Sequence, residues 1–192
     1  MLCDSRIASS YFGNRSVIAK TRYGLQIPLV VEFAIGDKQP NSQSHRGQGL
    51  AVLALAGVGR SQRIIYGSEA SHGTVSQLLD DVIANFSLEG EIYWDVISLA
   101  IYLAPERSWT NKFRQTFCFD DVMPDLCARD PRTGSCDGSH IFIALATVLR
   151  VDDRFQILSP QARSAVVDRL SSAVDVLVHH QSADGGWGAM AG

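Results

Sequence analysis

The stretch Glu91-Ile-Tyr-Trp-Asp-Val-Ile-Ser-Leu-Ala-Ile-Tyr-Leu-Ala104 distributes apolar side chains around most of the circumference of a helix. A helix that is apolar on all sides is covered on all sides, because exposed apolar surface is unfavourable in water. Two further segments, 46–58 and 139–149, share this character. We therefore predict three buried, inner helices along the chain.

A second kind of helix alternates with the inner ones. Its apolar side chains recur at three- and four-residue spacing, which places them along a single stripe and leaves the opposite face in water. Thr74 is the candidate N-cap of the first such helix, and Ser159 with Pro160 marks the start of the last. The three outer segments are 74–86, 111–128 and 160–181.

Alternating inner and outer helices predict an all-α fold in which three helical hairpins stack side by side. The repeat period leaves open whether the hairpins form an open superhelix or close into a ring. In the N-terminal segment, 1–44, the apolar run 25–35 fits a short strand or the end of a helix, and the polar run 36–44 fits a linker. We assign the helical domain to 45–192 and expect any sheet to be confined to the first 44 residues.

The composition excludes several classes of protein. Of the 192 residues, 46% are hydrophobic and 19% are charged, as in an ordinary globular protein. The 17 basic and 20 acidic residues give a net charge of −3, so nucleic acid is not an expected partner. The longest apolar run is about half of the roughly 20 residues that span a bilayer, and no signal-peptide pattern is present. We expect no transmembrane segment and a cytoplasmic location.

Near its end the chain reads Gln181-Ser-Ala-Asp-Gly-Gly-Trp187-Gly. This segment resembles the Gln-x-x-x-Gly-x-Trp repeat of squalene and oxidosqualene cyclases, with Gln181, Gly185 and Trp187 in the matching positions. Ser172 and Val176 depart from the longer family pattern. The resemblance implies the α/α toroid that terpenoid cyclases share with protein prenyltransferases, which favours a closed ring, with the motif as a structural clamp.

The resemblance also implies an incomplete toroid of about three helical hairpins, because a complete ring in that superfamily has about twice as many helices. We expect a fragment, or a short homologue whose other half is another chain, that self-associates through an exposed helical face. The family chemistry would act on polyprenyl substrates, but the Asp-x-Asp-Asp acid of the bacterial cyclases is missing. The strings nearest to it contain Asp120-Asp121 and Asp152-Asp153. We interpret Asp152-Asp153 as solvated residues at the end of an inner helix.

The segment Gly134-Ser-Cys136-Asp-Gly-Ser-His140 lies where the third inner helix starts. A thiol and an imidazole four residues apart can bind one metal ion, and Asp137 lies between them. The segment resembles part of the zinc site of protein prenyltransferases and of lanthionine-forming cyclases. The alternative is that Cys136 is a small packing residue and His140 a hydrogen-bonded residue of the first helical turn. The candidates for a further zinc ligand are His45, His72 and Cys127.

The polar and aromatic residues of the middle inner helix have simpler interpretations. Glu91 and Asp95, four residues apart, are typical of a solvated helix face. Trp94 and Trp109 are interpreted as core aromatics, although apolar walls also suit a hydrophobic ligand.

Two classes of function stay open at the level of the sequence. The first is a toroid, catalytic or formerly catalytic, that holds an isoprenoid or other apolar small molecule, with zinc near Cys136 and His140. The second is a non-catalytic helical-repeat module that binds a protein or peptide on its concave face. The sequence does not decide whether the protein is an enzyme.

Overall fold

The computed structural model describes residues 18–28, 45–66, 71–131 and 138–186. These residues form six helices and three two-stranded antiparallel sheets. The helices are α1 (Gln48–Leu55), α2 (Val75–Asn85), α3 (Tyr93–Leu103), α4 (Phe119–Ala128), α5 (Ser139–Phe155) and α6 (Pro160–His179). The strands are β1 (Ala19–Lys20), β2 (Leu25–Gln26), β3 (Arg63–Tyr66), β4 (Ser71–Thr74), β5 (Ser108–Thr110) and β6 (Thr116–Cys118).

Helix α3 lies at the centre of the fold. It packs against both α1 and α5, and nine of its eleven residues are buried. The hydroxyl of buried Ser98 donates a hydrogen bond of 3.0 Å to the carbonyl of Trp94, and the hydroxyl of Tyr102 donates one of 2.8 Å to the carbonyl of Val58. The prediction of a helix covered on all sides is confirmed for this segment.

The other helices lie around this central layer. Helix α2 contacts α1 and α3, while α6 contacts α4 and α5. The predicted helix starts are confirmed: the side chain of Gln77 accepts a hydrogen bond from the backbone of Thr74 (3.0 Å). At α6, the hydroxyl of Ser159 accepts one from the backbone of Ala162 (3.2 Å). Each bond satisfies a backbone donor that the helix itself leaves unpaired.

The fold class is mixed, and the prediction of an all-α incomplete toroid is wrong. Helices hold 55% of the described residues and strands hold 13%. Two β-hairpins lie outside the first 44 residues: Arg63 pairs with Thr74 in one, and Ser108 pairs with Cys118 in the other. Each hairpin leads directly into an outer helix, because Thr74 is the N-cap of α2 and Cys118 is the N-cap of α4.

The second hairpin replaces the first turns of a predicted helix. The apolar spacing predicts a helix over 111–128, but α4 begins at Phe119. The side-chain oxygen of Asn111 accepts hydrogen bonds from the backbone of Phe113 (2.9 Å) and of Gln115 (3.0 Å). An asparagine that closes a turn in this way competes with helix formation, and Phe113 is left 69% exposed at the turn.

The hairpin is anchored by an aromatic cluster. The rings of Trp109 and Phe117 each lie 5.0 Å from the ring of Phe86, in edge-to-face contact. Phe119, the first residue of α4, lies 5.1 Å from Trp109. Trp109 is 5% exposed, which confirms its interpretation as a core residue.

Part of the N-terminal segment joins the same core. Leu25 of β2 is 1% exposed and belongs to the main hydrophobic cluster, and β2 lies against α2. Of the two alternatives for 25–35, the strand holds for Leu25–Gln26. The rest of that run, the predicted linker 36–44 and the domain boundary after residue 44 lie outside the described residues, so the domain assignment stays a prediction.

Helices α1 and α6 expose apolar side chains. Val52 of α1 is 53% exposed, in contrast to the full cover predicted for that helix. On α6, Val174, Val176 and Val178 are between 48% and 66% exposed. The expected self-association through a helical face stays a prediction, as does the expectation that the chain is a fragment.

Across the four described ranges, every helix is too short or too polar to cross a membrane. The cytoplasmic location stays a prediction.

We expect Gly47→Ala to destabilise the protein by about 3 kcal/mol. Gly47 is the N-cap of α1 at φ 73°, where an L-residue costs about 1–2 kcal/mol, and its Cβ would meet the side chain of Asp95. Gly57→Ala is the matched control, because its φ is 74° and nothing lies near its Cβ position. Urea unfolding measures both losses. An equal loss of unfolding free energy in the two variants would contradict the close packing of α1 on α3.

Candidate metal centre

The three inner helices begin at one place in the molecule. His45 lies three residues before the first residue of α1, and Glu91 lies two residues before α3. His140 is the second residue of α5. Helix α3 packs against both α1 and α5, and the starts of the three helices lie together, because the imidazoles of His45 and His140 both contact Glu91. Their side chains form one cluster.

The cluster consists of two imidazoles joined through one carboxylate. Nδ1 of His45 lies 2.8 Å from Oε2 of Glu91, and Nδ1 of His140 lies 3.1 Å from Oε1 of the same group. The potential ligand atoms all lie within 4.8 Å of one another. A tetrahedral ion with bonds of about 2.1 Å separates its ligand atoms by about 3.4 Å. The cluster therefore needs only small side-chain shifts to hold a metal ion.

The cluster is partly buried. The side-chain exposures are 16% for His45, 9% for His140 and 24% for Glu91. One wall is the indole ring of Trp94, which lies 4.8 Å from the ring of His140. Trp94 is 8% exposed, so its interpretation as a core residue is confirmed. The carboxylate remains accessible to water.

Arg129 binds the loop that precedes Glu91. Its guanidinium donates hydrogen bonds to the carbonyls of Leu88 (2.6 Å) and Gly90 (2.5 Å). The third donor, Nε, is bound to Asp125 of α4 at 2.8 Å. Because all three nitrogens of this planar guanidinium donate hydrogen bonds, Arg129 fixes the backbone just before Glu91.

Asp95 lies one helical turn after Glu91 and is fully buried. Its carboxylate is 3.2 Å from Nε of Arg46. Burial raises the pKa of Asp95 to about 7, Arg46 opposes this shift, and the negative charges of Asp81 and Glu91 add to it. The interpretation of Glu91 and Asp95 as a solvated helix face is therefore wrong, because the face lies against the start of α1.

The residues predicted as zinc ligands fall into two groups. His140 lies in the cluster, whereas Cys136 and Asp137 lie outside the described residues, and their role stays a prediction. Of the candidates for a further ligand, His45 lies beside His140. Glu91 was not among the predicted ligands, although it lies just before an inner helix, as His45 does.

The other two candidates lie elsewhere. His72 is an exposed residue of β4. Cys127 is half-buried on α4, and its thiol donates a weak hydrogen bond to the carbonyl of Ala165 on α6 at 3.8 Å. Neither belongs to the cluster of potential ligands found in the described ranges.

Asp120 and Asp152, from the two strings nearest to Asp-x-Asp-Asp, accept backbone hydrogen bonds in the turn between α5 and α6. Asp152 is 4% exposed, accepts a hydrogen bond from the backbone of Leu158 (2.8 Å) and pairs with Arg163 (2.6 Å). Asp120 accepts a hydrogen bond from the backbone of Ser159 (2.8 Å). The interpretation of Asp152 as a solvated residue is wrong, because its carboxylate is used to hold the turn.

The repeat motif is described only in part. The side chain of Gln181 donates a hydrogen bond of 2.9 Å to the carbonyl of Gly185. Gly185 has a φ of 83°, which permits the tight exit from α6. Trp187 lies outside the described residues, so the clamp stays a prediction.

Comparison with known proteins gave no relative. No protein-family model matches the chain, and no similar protein was found among curated sequences or solved structures. The resemblance to the terpenoid cyclase and prenyltransferase superfamily stays a prediction, and the cluster has to be interpreted from its own geometry.

We expect Asp95→Asn to change the pH dependence of stability. Because folding raises the pKa of Asp95 from 3.8 to about 7, ionising this group favours the unfolded chain. Its contribution to the free energy of unfolding is largest below about pH 4 and falls by up to about 4 kcal/mol as the pH rises to 7. In the Asn variant this fall is absent.

The measurement is urea unfolding of both proteins from pH 4.5 to 7.5 in the presence of a chelator. The free energy of unfolding of the wild type should fall relative to that of the variant as the pH rises. Parallel curves would show that Asp95 titrates in the folded protein as it does in the unfolded chain.

Proposed function

We propose that the protein binds one zinc ion through the imidazoles of His45 and His140 and the carboxylate of Glu91. The observation that carries the proposal is that three separate helix starts bring potential ligand atoms to within 4.8 Å of one another. Two imidazoles and one carboxylate form a donor set that suits Zn²⁺ and also Fe²⁺, and the metal-content experiment below distinguishes the two.

The number and kind of ligands favour a reactive zinc site. Two imidazoles and one carboxylate form the three-residue shell of many catalytic zinc sites, in which water or substrate takes the fourth position. The 24% exposure of Glu91 supports access from solvent. A zinc ion in such a shell acts as a Lewis acid and lowers the pKa of its bound water.

Hydrogen bonding alone is the competing explanation of the cluster. A neutral or protonated imidazole can donate from Nδ1 to each oxygen of Glu91 without any metal. The two explanations differ in their response to Glu91→Gln. The amide keeps one acceptor oxygen and nearly the same shape, but it removes the negative charge that a zinc ligand supplies.

We expect the full chain, produced with added zinc, to contain about one zinc ion per molecule by elemental analysis. His45→Ala, His140→Ala and Glu91→Gln should each weaken zinc binding by more than about 100-fold, because even groups that only orient a ligand contribute 10- to 100-fold. His72→Ala is the control, since His72 is exposed on β4 and should leave the zinc content unchanged.

Two further readouts separate zinc binding from loss of fold. Zinc at 100 times its dissociation constant should stabilise the wild type by about 2.7 kcal/mol, and should not stabilise Glu91→Gln. Cobalt should quench the fluorescence of Trp94, whose ring lies 4.8 Å from His140. A metal-free wild type, or iron in place of zinc after growth with both metals, would contradict the proposal.

Cys136 needs its own test, because the sequence predicts it as a ligand. If the Cys136 thiolate completes the shell, cobalt-loaded protein will show a cobalt–thiolate absorption band that disappears in Cys136→Ala. If the fourth position is held by water, Cys136→Ala will keep its metal and its cobalt spectrum. The isoprenoid ligand and the protein or peptide partner expected from the sequence stay predictions, and the zinc proposal depends on neither.

A further inference from the structure

A cavity of about 640 Å³ lies between the β1–β2 hairpin, α1 and α2. Its volume is within the range of small-molecule sites, about 300–1,000 Å³. The cluster residues His45, Glu91 and His140 do not line it, so the cavity is a separate feature of the described part of the chain.

The floor of the cavity is apolar. Leu50 of α1 and Leu78 of α2 are each 3% exposed, and they face the cavity together with Ile27 and Val82. Such a floor favours a ligand with a hydrocarbon body, because each buried CH₂ group contributes through the hydrophobic effect.

The rim of the cavity is cationic. Arg22, Arg46 and Lys112 line it, and Asp81 is the one carboxylate among the lining residues. The charge of Asp81 is engaged by the hydroxyl of Thr21, which donates a hydrogen bond of 2.6 Å. Because Arg46 is paired with Asp95, the two remaining cations, Arg22 and Lys112, stand against the one carboxylate of Asp81, which leaves a positive excess at the mouth of the cavity.

Two of these cations are held in place without a carboxylate. Nζ of Lys112 lies 5.4 Å from the centre of the Tyr23 ring, and the guanidinium of Arg22 lies 5.8 Å from the same ring. Nζ of Lys112 also donates to the side-chain oxygen of Asn85 at 2.7 Å. In the described ranges, neither cation forms an ion pair, whereas Arg46 is paired with buried Asp95. Arg22 and Lys112 therefore keep donors for a ligand.

We propose that this cavity binds an amphipathic organic anion, with its aliphatic body on the floor formed by Leu50, Leu78 and Val82 and its carboxylate or phosphate group between Arg22 and Lys112. The two cations supply charge-assisted hydrogen bonds, which are about twice as strong as neutral ones. The lining combines polar and apolar surface in about equal parts, which suits an amphipathic ligand.

The test is isothermal titration calorimetry of the full chain with decanoate, decyl phosphate and decanol, in the presence of a chelator so that no metal contributes. Decanoate or decyl phosphate should bind at one site, at least about tenfold more tightly than decanol. The tighter of the two anions identifies the preferred head group. Binding of the anion should weaken as salt is added.

Arg22→Gln and Lys112→Gln should each weaken binding of the anion by about tenfold and leave decanol binding unchanged. Arg154→Gln is the matched control, because Arg154 is also an exposed cation stacked on an aromatic ring, 4.9 Å from the centre of Phe155, and it lies outside the cavity. Circular dichroism confirms that the variants are folded. Absence of saturable binding, equal affinity for decanol and the anions, or wild-type affinity in both cavity variants would overturn the proposal.

Discussion

The burial of α3 between α1 and α5 is the constraint on which the rest of the structure depends. Because nine of its eleven residues are buried, any shift of α3 exposes apolar surface at a cost of about 25 cal/mol per Å². The starts of the three helices are therefore fixed relative to one another. This packing brings His45, Glu91 and His140 together, and the contacts of both imidazoles with Glu91 join them. A site arranged in advance by its scaffold binds a ligand without having to order its side chains first.

The same packing places acidic groups where stability alone would not favour them. Asp95 is fully buried beside Arg46, and its pKa is raised to about 7. A buried ion pair contributes little net stability compared with apolar residues of similar size. Acids with strongly shifted pKa values are more frequent in functional regions than elsewhere, and Asp95 lies one helical turn from Glu91. Arg129 and Arg46 then have a common role, since each fixes the start of one of the helices that supply the cluster.

The helices were predictable from the sequence, but the hairpins were not. Apolar periodicity extends over ten or more residues in a helix, whereas β5 and β6 have three residues each, too few for an alternating pattern. The turn at Asn111 was missed for a second reason: Phe113 and Phe117 are four residues apart, which is also the spacing of a helix. In the cluster, His140 was predicted and His45 was named as a candidate. Glu91 was missed because a carboxylate next to a helix is usually solvated, and only the packing of α3 shows otherwise.

The starts of α1, α3 and α5 are proposed to form one metal site. Anomalous diffraction at the zinc edge, on crystals of the full chain grown with zinc, tests this proposal most directly. We expect a single strong peak about 2.1 Å from an imidazole nitrogen of His45, an imidazole nitrogen of His140 and a carboxylate oxygen of Glu91. No peak at this position, or an ion bound by Cys136 and Asp137 without His45 and Glu91, would contradict it.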